Sequence, residues 1–66
     1  HVKDIAPAGE NEGEGGWADV GHGVVPWGKL WQALKATKAK HFIVEHDNPS
    51  DLVRCATRSI ETIKSL

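Results

Sequence analysis

The spacing of apolar positions along the chain divides it into segments of different character. Val2 to Ile5 reads as the end of a strand whose start is missing. From Ala6 to Gly23 the composition shifts to Gly, Glu, Asp and Asn, with six of the seven glycines and few apolar residues besides Trp17 and Val20. That pattern predicts a long, mobile loop of the kind that serves as a lid or binding loop. Its tip, residues 8–16, carries the mutually repelling Glu10, Glu12 and Glu14 and reads as a solvated excursion. Pro26 suits the first turn of a helix, where its missing N–H costs nothing. Trp27, Leu30, Trp31 and Leu34 follow at i, i+3, i+4 and i+7, a stripe that faces a core, with Lys29, Gln32 and Lys35 outside it. Lys38 and Lys40 complement the negative end of that helix.

The run Phe42-Ile43-Val44, without polar alternation, predicts a strand buried on both faces, as in a parallel sheet. Asn48-Pro49-Ser50-Asp51 supplies turn chemistry, with Ser50 or Asn48 as N-cap. A second helix is predicted from Leu52, Val53, Ala56, Ile60, Ile63 and Leu66, which recur at helical spacing. Strand, loop, helix, strand, helix is the order of an α/β protein with parallel strands joined by right-handed crossovers.

Length and charge narrow the reading. A closed eight-stranded barrel needs roughly 250 residues, so 66 residues make about a quarter of one and the chain reads as a partial domain, 1–66, with no complete domain present. One cysteine, Cys55, forms no internal disulfide and fits a reducing, cytoplasmic compartment. Eight Lys and Arg against nine Asp and Glu leave a formal charge of −1, which disfavours nucleic acid as a partner. No apolar stretch approaches the roughly 20 residues of a membrane span. Exposed apolar faces would await the missing strands or a second copy of the chain, so a homo-oligomer is allowed.

The chemistry lies at two predicted strand ends. His1-Val2-Lys3-Asp4 and Val44-Glu45-His46-Asp47 place a histidine and a glutamate where strands give way to loops. This is what a metal site at the mouth of a parallel β/α barrel requires, because residues there are held rigidly and point into the open top. Alternation puts Glu45 and His46 on opposite sides of the second strand, and sequence alone does not choose between them. A carboxylate directly after three apolar residues is costly to bury alone, which favours a cation beside Glu45. His46 and Asp47 read more simply as a hydrogen-bonded turn residue and a loop cap.

The string His1-Val2-Lys3-Asp4, the segment Val20-Gly21-His22-Gly23, Pro26-Trp27 with the helix Leu30 to Leu34, and Val44-Glu45-His46-Asp47 together resemble the C-terminal end of sugar phosphate isomerases/epimerases, the xylose isomerase-like TIM-barrel superfamily. The resemblance covers essentially all 66 residues. It implies the last two β/α units of a (β/α)8 barrel, with His1 and Glu45 as ligands of a divalent metal ion (Mn, Co, Mg or Zn). It also implies that Glu45 is one of two acid/base groups that move a proton beside a carbonyl of a small carbohydrate substrate, while the metal polarises that carbonyl. The second base and an aspartate ligand belong to strands absent from this chain, so the 66 residues alone are expected to be inactive.

Around these residues, Asp4 reads either as a carboxylate orienting His1 or as a cap of the loop. Lys3 and His22 are candidates for substrate or ligand-orienting contacts, and Trp17 is either the anchor of the loop or a wall of the substrate pocket. Gly21 and Gly23 allow close backbone approach or a sharp turn into the helix. The apurinic endonuclease class has a similar H-x-N-D string, but Gly15 and Trp17 stand where its Asp-x-His zinc ligands belong. Inosose dehydratase-type lyase chemistry uses the same metal constellation and is the alternative reaction, and a catalytically silent scaffold or binding piece is the alternative class.

Overall fold

The computed structural model describes residues 1–66, and the architecture differs from the parallel α/β expectation. Strand β1 (Asp4–Ile5) and strand β2 (Trp17–Ala18) pair antiparallel, with Asp4 opposite Ala18 and Ile5 opposite Trp17. Helices α1 (Trp27–Lys35) and α2 (Leu52–Ser65) follow. Two antiparallel strands and two helices in a small globule stand in place of the expected parallel strand-helix pattern of the last two TIM-barrel units.

The cause lies in the Gly-rich segment. A 3-10 turn at Glu12–Glu14 is flanked by Asn11 at φ 53° and Gly15 at φ 68°, with Gly16 at φ 80°. Left-handed backbone at these positions reverses the chain sharply, and glycine adopts it without a Cβ penalty. The chain therefore returns against β1 and gives it an antiparallel partner. The segment is structured: Ala18, Asp19 and Val20 are buried, and Val20 is fully so.

The expected second strand is reduced to a single parallel bridge, Val2 with Val44. Phe42, Ile43 and Val44 remain 39%, 55% and 39% exposed, so the run is not buried on both faces. Its one paired edge faces Val2, and Phe42 packs obliquely on Trp31 of α1 with ring centroids 4.9 Å apart.

The core consists of Val2, Val20, Trp27 and Trp31, with Val25, Leu34, Ile63 and Leu66 packed against it. The tryptophan pair on α1 thus enters the core, while Leu30 turns outward. On α2 only the C-terminal part of the apolar stripe does so. Leu52 and Val53 are 73% and 76% exposed, and the helix instead buries Cys55 and Ser59. The Ser59 hydroxyl accepts from the Val20 N–H at 3.2 Å, which docks α2 onto the segment after β2. Asp51, one residue beyond the predicted cap, starts α2 by accepting from the Arg54 N–H at 2.9 Å. Neither helix is long and apolar enough to cross a membrane.

Candidate functional site

The Val2–Val44 bridge is short, but it fixes the neighbourhood of both candidate ligands. Val2 N–H donates to the Ile43 carbonyl at 2.7 Å, and Glu45 N–H donates to the Val2 carbonyl at 2.9 Å. This pairing sets His1 beside Glu45, with His1 Nδ1 2.8 Å from Glu45 Oε1. Both side chains reach solvent, at 61% and 31% exposure. The other Glu45 oxygen lies 3.8 Å from Lys3 Nζ. Lys3 Nζ is held at 3.0 Å from both oxygens of Asp47 and sits 4.0 Å from the centroid of a Trp17 ring. His1, Lys3, Glu45, Asp47 and Trp17 thus form one surface cluster in which two carboxylates meet a lysine and an imidazole.

Strand β1 is pinned for this purpose from the other side. Trp27 Nε1–H donates to the Lys3 carbonyl at 2.9 Å, tying the strand to α1. Asp4, 2% exposed, spends its carboxylate on backbone groups. Oδ1 accepts from Ile5 and Val25 N–H at 2.9 and 3.0 Å, and Oδ2 accepts from Gly21 and Gly23 N–H at 2.9 and 3.3 Å. Its partners all belong to β1 and the loop, and none belongs to His1. Gly23 lies so close that a Cβ there would collide with the Asp4 carboxylate and the Ile5 carbonyl. Gly21, at φ 88°, takes a left-handed conformation beside Thr62.

His46 points the other way from Glu45. Its side chain is 2% exposed, and its Nδ1 accepts from the Asn48 N–H at 3.1 Å. Its Nε2 has no hydrogen-bond partner, lying 3.5 Å from Glu14 Oε1 and 4.0 Å from Asp19 Oδ1. Asp47 serves Lys3. His22 stands apart from the His1–Glu45 cluster, with its Nδ1 against the Arg58 guanidinium.

A second charged cluster was not singled out by the sequence reading. Arg54 grips Asp19 with two nitrogens, Nε to Oδ2 at 2.9 Å and an Nη to Oδ1 at 3.2 Å, and reaches Glu14 at 2.6 Å. Arg58 approaches Asp19 Oδ2 at 3.2 Å. The Ser50 N–H and the Arg54 guanidinium hold the Glu14 carboxyl below its ordinary range. Burial pushes the Asp19 carboxyl up, but Arg54, Cys55 and Arg58 outweigh it and the net direction is down. Arg54 is correspondingly raised, through Asp19 first and Glu14 second. Burial, with Asp19 beside it, raises the Cys55 thiol. The available signal was an arginine pair one turn apart on α2 facing an aspartate set between Ala18 and Val20.

For a metal ion, the donor types at His1 and Glu45 suit a hard to borderline divalent cation. Their number does not complete a site, since no group of three or more His, Cys, Asp or Glu residues converges anywhere in the structure. Asp47, the next carboxylate, is committed to Lys3. The chain matches no protein-family model, no curated protein and no solved structure.

Proposed function

We propose that this chain supplies His1 and Glu45 as two ligands of a divalent-metal site in a sugar or sugar-phosphate isomerase/epimerase, the remaining ligands coming from outside these 66 residues. The observation that supports the reading best is the 2.8 Å approach of His1 Nδ1 to Glu45 Oε1 across a backbone bridge, with both groups open to solvent. An imidazole and a carboxylate held together on backbone that is itself hydrogen-bonded form a preorganised pair. A divalent cation held there supplies Lewis acidity to a carbonyl oxygen.

Glu45 has a second oxygen, directed toward Lys3, and a carboxylate so placed can take up and return a proton at the carbon beside that carbonyl. Lys3 places a positive charge 3.8 Å from that oxygen. The Lys3 ammonium in turn rests 4.0 Å from the centroid of a Trp17 ring.

A proton-exchange assay in D₂O tests the reading in the protein complete with the elements that bring the other ligands. Supplied with Mn²⁺ and a ketose or ketose phosphate, it is expected to place deuterium at the carbon next to the carbonyl, and Glu45→Gln is expected to abolish this. Undiminished exchange by Glu45→Gln would exclude the acid/base role, and release of water from the sugar in place of exchange would assign the dehydratase alternative.

A further inference from the structure

The segment from Ala39 to His46 runs without turn or bend, and only one of its edges is used. The Ile43 carbonyl and the Glu45 N–H face Val2 and bond to it. Alternation along a strand turns the N–H and C=O groups of Phe42 and Val44 to the opposite edge, and none of these four groups has a backbone partner. Phe42, Ile43 and Val44 are all exposed. An exposed apolar edge with unpaired backbone groups is a template for one more strand. At the start of the same run stands His41, exposed and engaged by no ion pair.

We propose that a second copy of this chain pairs antiparallel with this edge and lends its His41 to the divalent-metal pair as a third ligand, a step that rests on His1 and Glu45 binding the cation. A twofold axis at Ile43 sets Phe42 of one copy opposite Val44 of the other, so that the free N–H and C=O groups bond reciprocally in both pairs. Ile43 then meets Ile43, and every apolar side chain of the run has an apolar partner across the edge. In the same register His41 of the second copy stands opposite Glu45. That is a non-hydrogen-bonded pair, in which Cα atoms approach to about 4.5 Å, and opposed residues share one face of the sheet. His1 is on that face too, since its Nδ1 reaches Glu45 Oε1. Glu45 thus lies on the middle strand with an imidazole on each side, and Oε1 is not the oxygen that faces Lys3. Two histidines, a carboxylate and one open position form a ligand set of catalytic divalent sites. The backbone edge alone would accept any extended segment. This chain's own segment is selected because the register that pairs its apolar residues also places a histidine on Glu45, where His1 and Glu45 by themselves leave a four-coordinate shell half filled.

Sedimentation velocity on the 66-residue chain, run in Zn²⁺ and in EDTA, tests the proposal, with NMR of the same samples reporting on His1 and Glu45. A dimer is expected, tightened roughly tenfold by Zn²⁺ at about ten times its dissociation constant. His41→Ala should remove the Zn²⁺ dependence while the His1 and Glu45 resonances still respond to the ion. Val44→Pro deletes an N–H that the monomer leaves unused, so it should weaken the dimer with the circular dichroism spectrum unchanged. If the proline variant is unfolded, His41→Ala, at an exposed position, decides the question. A chain that stays monomeric while Zn²⁺ shifts the His1 and Glu45 signals would overturn the inference and leave the two-ligand reading standing. Zn²⁺ that shifts neither signal would overturn both. A dimer whose Zn²⁺ dependence survives His41→Ala, or whose affinity is untouched by a folded Val44→Pro, would place the contact elsewhere and overturn the proposal.

Discussion

Replacing Asp4 with alanine removes the one side chain that ties the Gly-rich segment to β1. The carboxylate is 2% exposed and accepts four backbone N–H bonds, from Ile5, Gly21, Gly23 and Val25. Bonds to a charged acceptor contribute about 1.5–3 kcal/mol each when considered singly. They are not additive here, because one relaxing loop can re-solvate several donors at once. A loss of about 3–5 kcal/mol is therefore expected for Asp4→Ala, the range for removing one partner of a buried charged network. A chain of 66 residues has a total stability of roughly 3–10 kcal/mol at about 0.05–0.15 kcal/mol per residue. The loss is thus from about a third to all of that stability, and the unfolding midpoint should fall far below that of wild type. Asp4→Asn keeps one acceptor oxygen for Ile5 and Val25 but turns an amide toward the Gly21 and Gly23 N–H groups, and about 1–3 kcal/mol is expected. Urea titration followed by tryptophan fluorescence reads both, since Trp27 and Trp31 are buried in the native core. Asp47→Ala, which removes only an exposed partner of Lys3, serves as the control and should cost less than about 1 kcal/mol. An Asp4→Ala protein within about 1 kcal/mol of wild type would refute the role assigned to this carboxylate.

Two further outcomes concern the Arg54 cluster. The folded-state pKa values of Glu14 and Asp19 lie below their ordinary values of 4.5 and 3.8, so their stabilisation is fully present above pH 4.5 and is lost as pH falls through the lowered values. Acid unfolding followed by tryptophan fluorescence should be shallower in Asp19→Asn than in wild type, and coincident acid limbs would count against the cluster. Cys55 is buried and its thiol lies above the ordinary 9.0, so iodoacetamide at mildly alkaline pH should label it far more slowly in the native protein than in urea. Equal rates would show that the helix face carrying Cys55 is open.

Local periodicity located both helices because their apolar residues recur at helical spacing and Pro26 marks the first start, but the cap of the second is Asp51 in place of Ser50 or Asn48. It did not decide which apolar residues are buried. Leu52, Val53 and Ile60 share α2 with Ile63 and Leu66, but the pull of Asp19 on Arg54 and of the Val20 N–H on Ser59 turns the Cys55–Ser59 line inward. The strand topology was not legible because an apolar triplet looks the same whether a sheet covers both its faces or one bridge pairs it. The antiparallel return was set by left-handed backbone at Asn11, Gly15 and Gly16, conformations that a count of glycines does not locate. At the candidate site, the nearness of His1 and Glu45 follows from residues at matching ends of paired backbone. Which of Glu45 and His46 faces His1 depended on tertiary contacts, with His46 drawn under Glu14 and Asp19. By sequence Asp4 reads equally as a loop cap or as a carboxylate orienting His1, and the four N–H groups that converge on it decide for the cap.

The His1–Glu45 pair as a cation-binding unit is tested most directly by adding Mn²⁺ stepwise to the isotope-labelled chain and following paramagnetic broadening by NMR. Resonances of His1 and Glu45 should broaden first and together, with a dissociation constant weaker than about 1 µM because two donors leave a four-coordinate or larger shell unfilled. Glu45→Gln should abolish the selective broadening while leaving the Val2 and Val44 backbone signals in place. Broadening centred on Glu10, Glu12 and Glu14, or unaltered by Glu45→Gln, would contradict the assignment of these two residues as metal ligands.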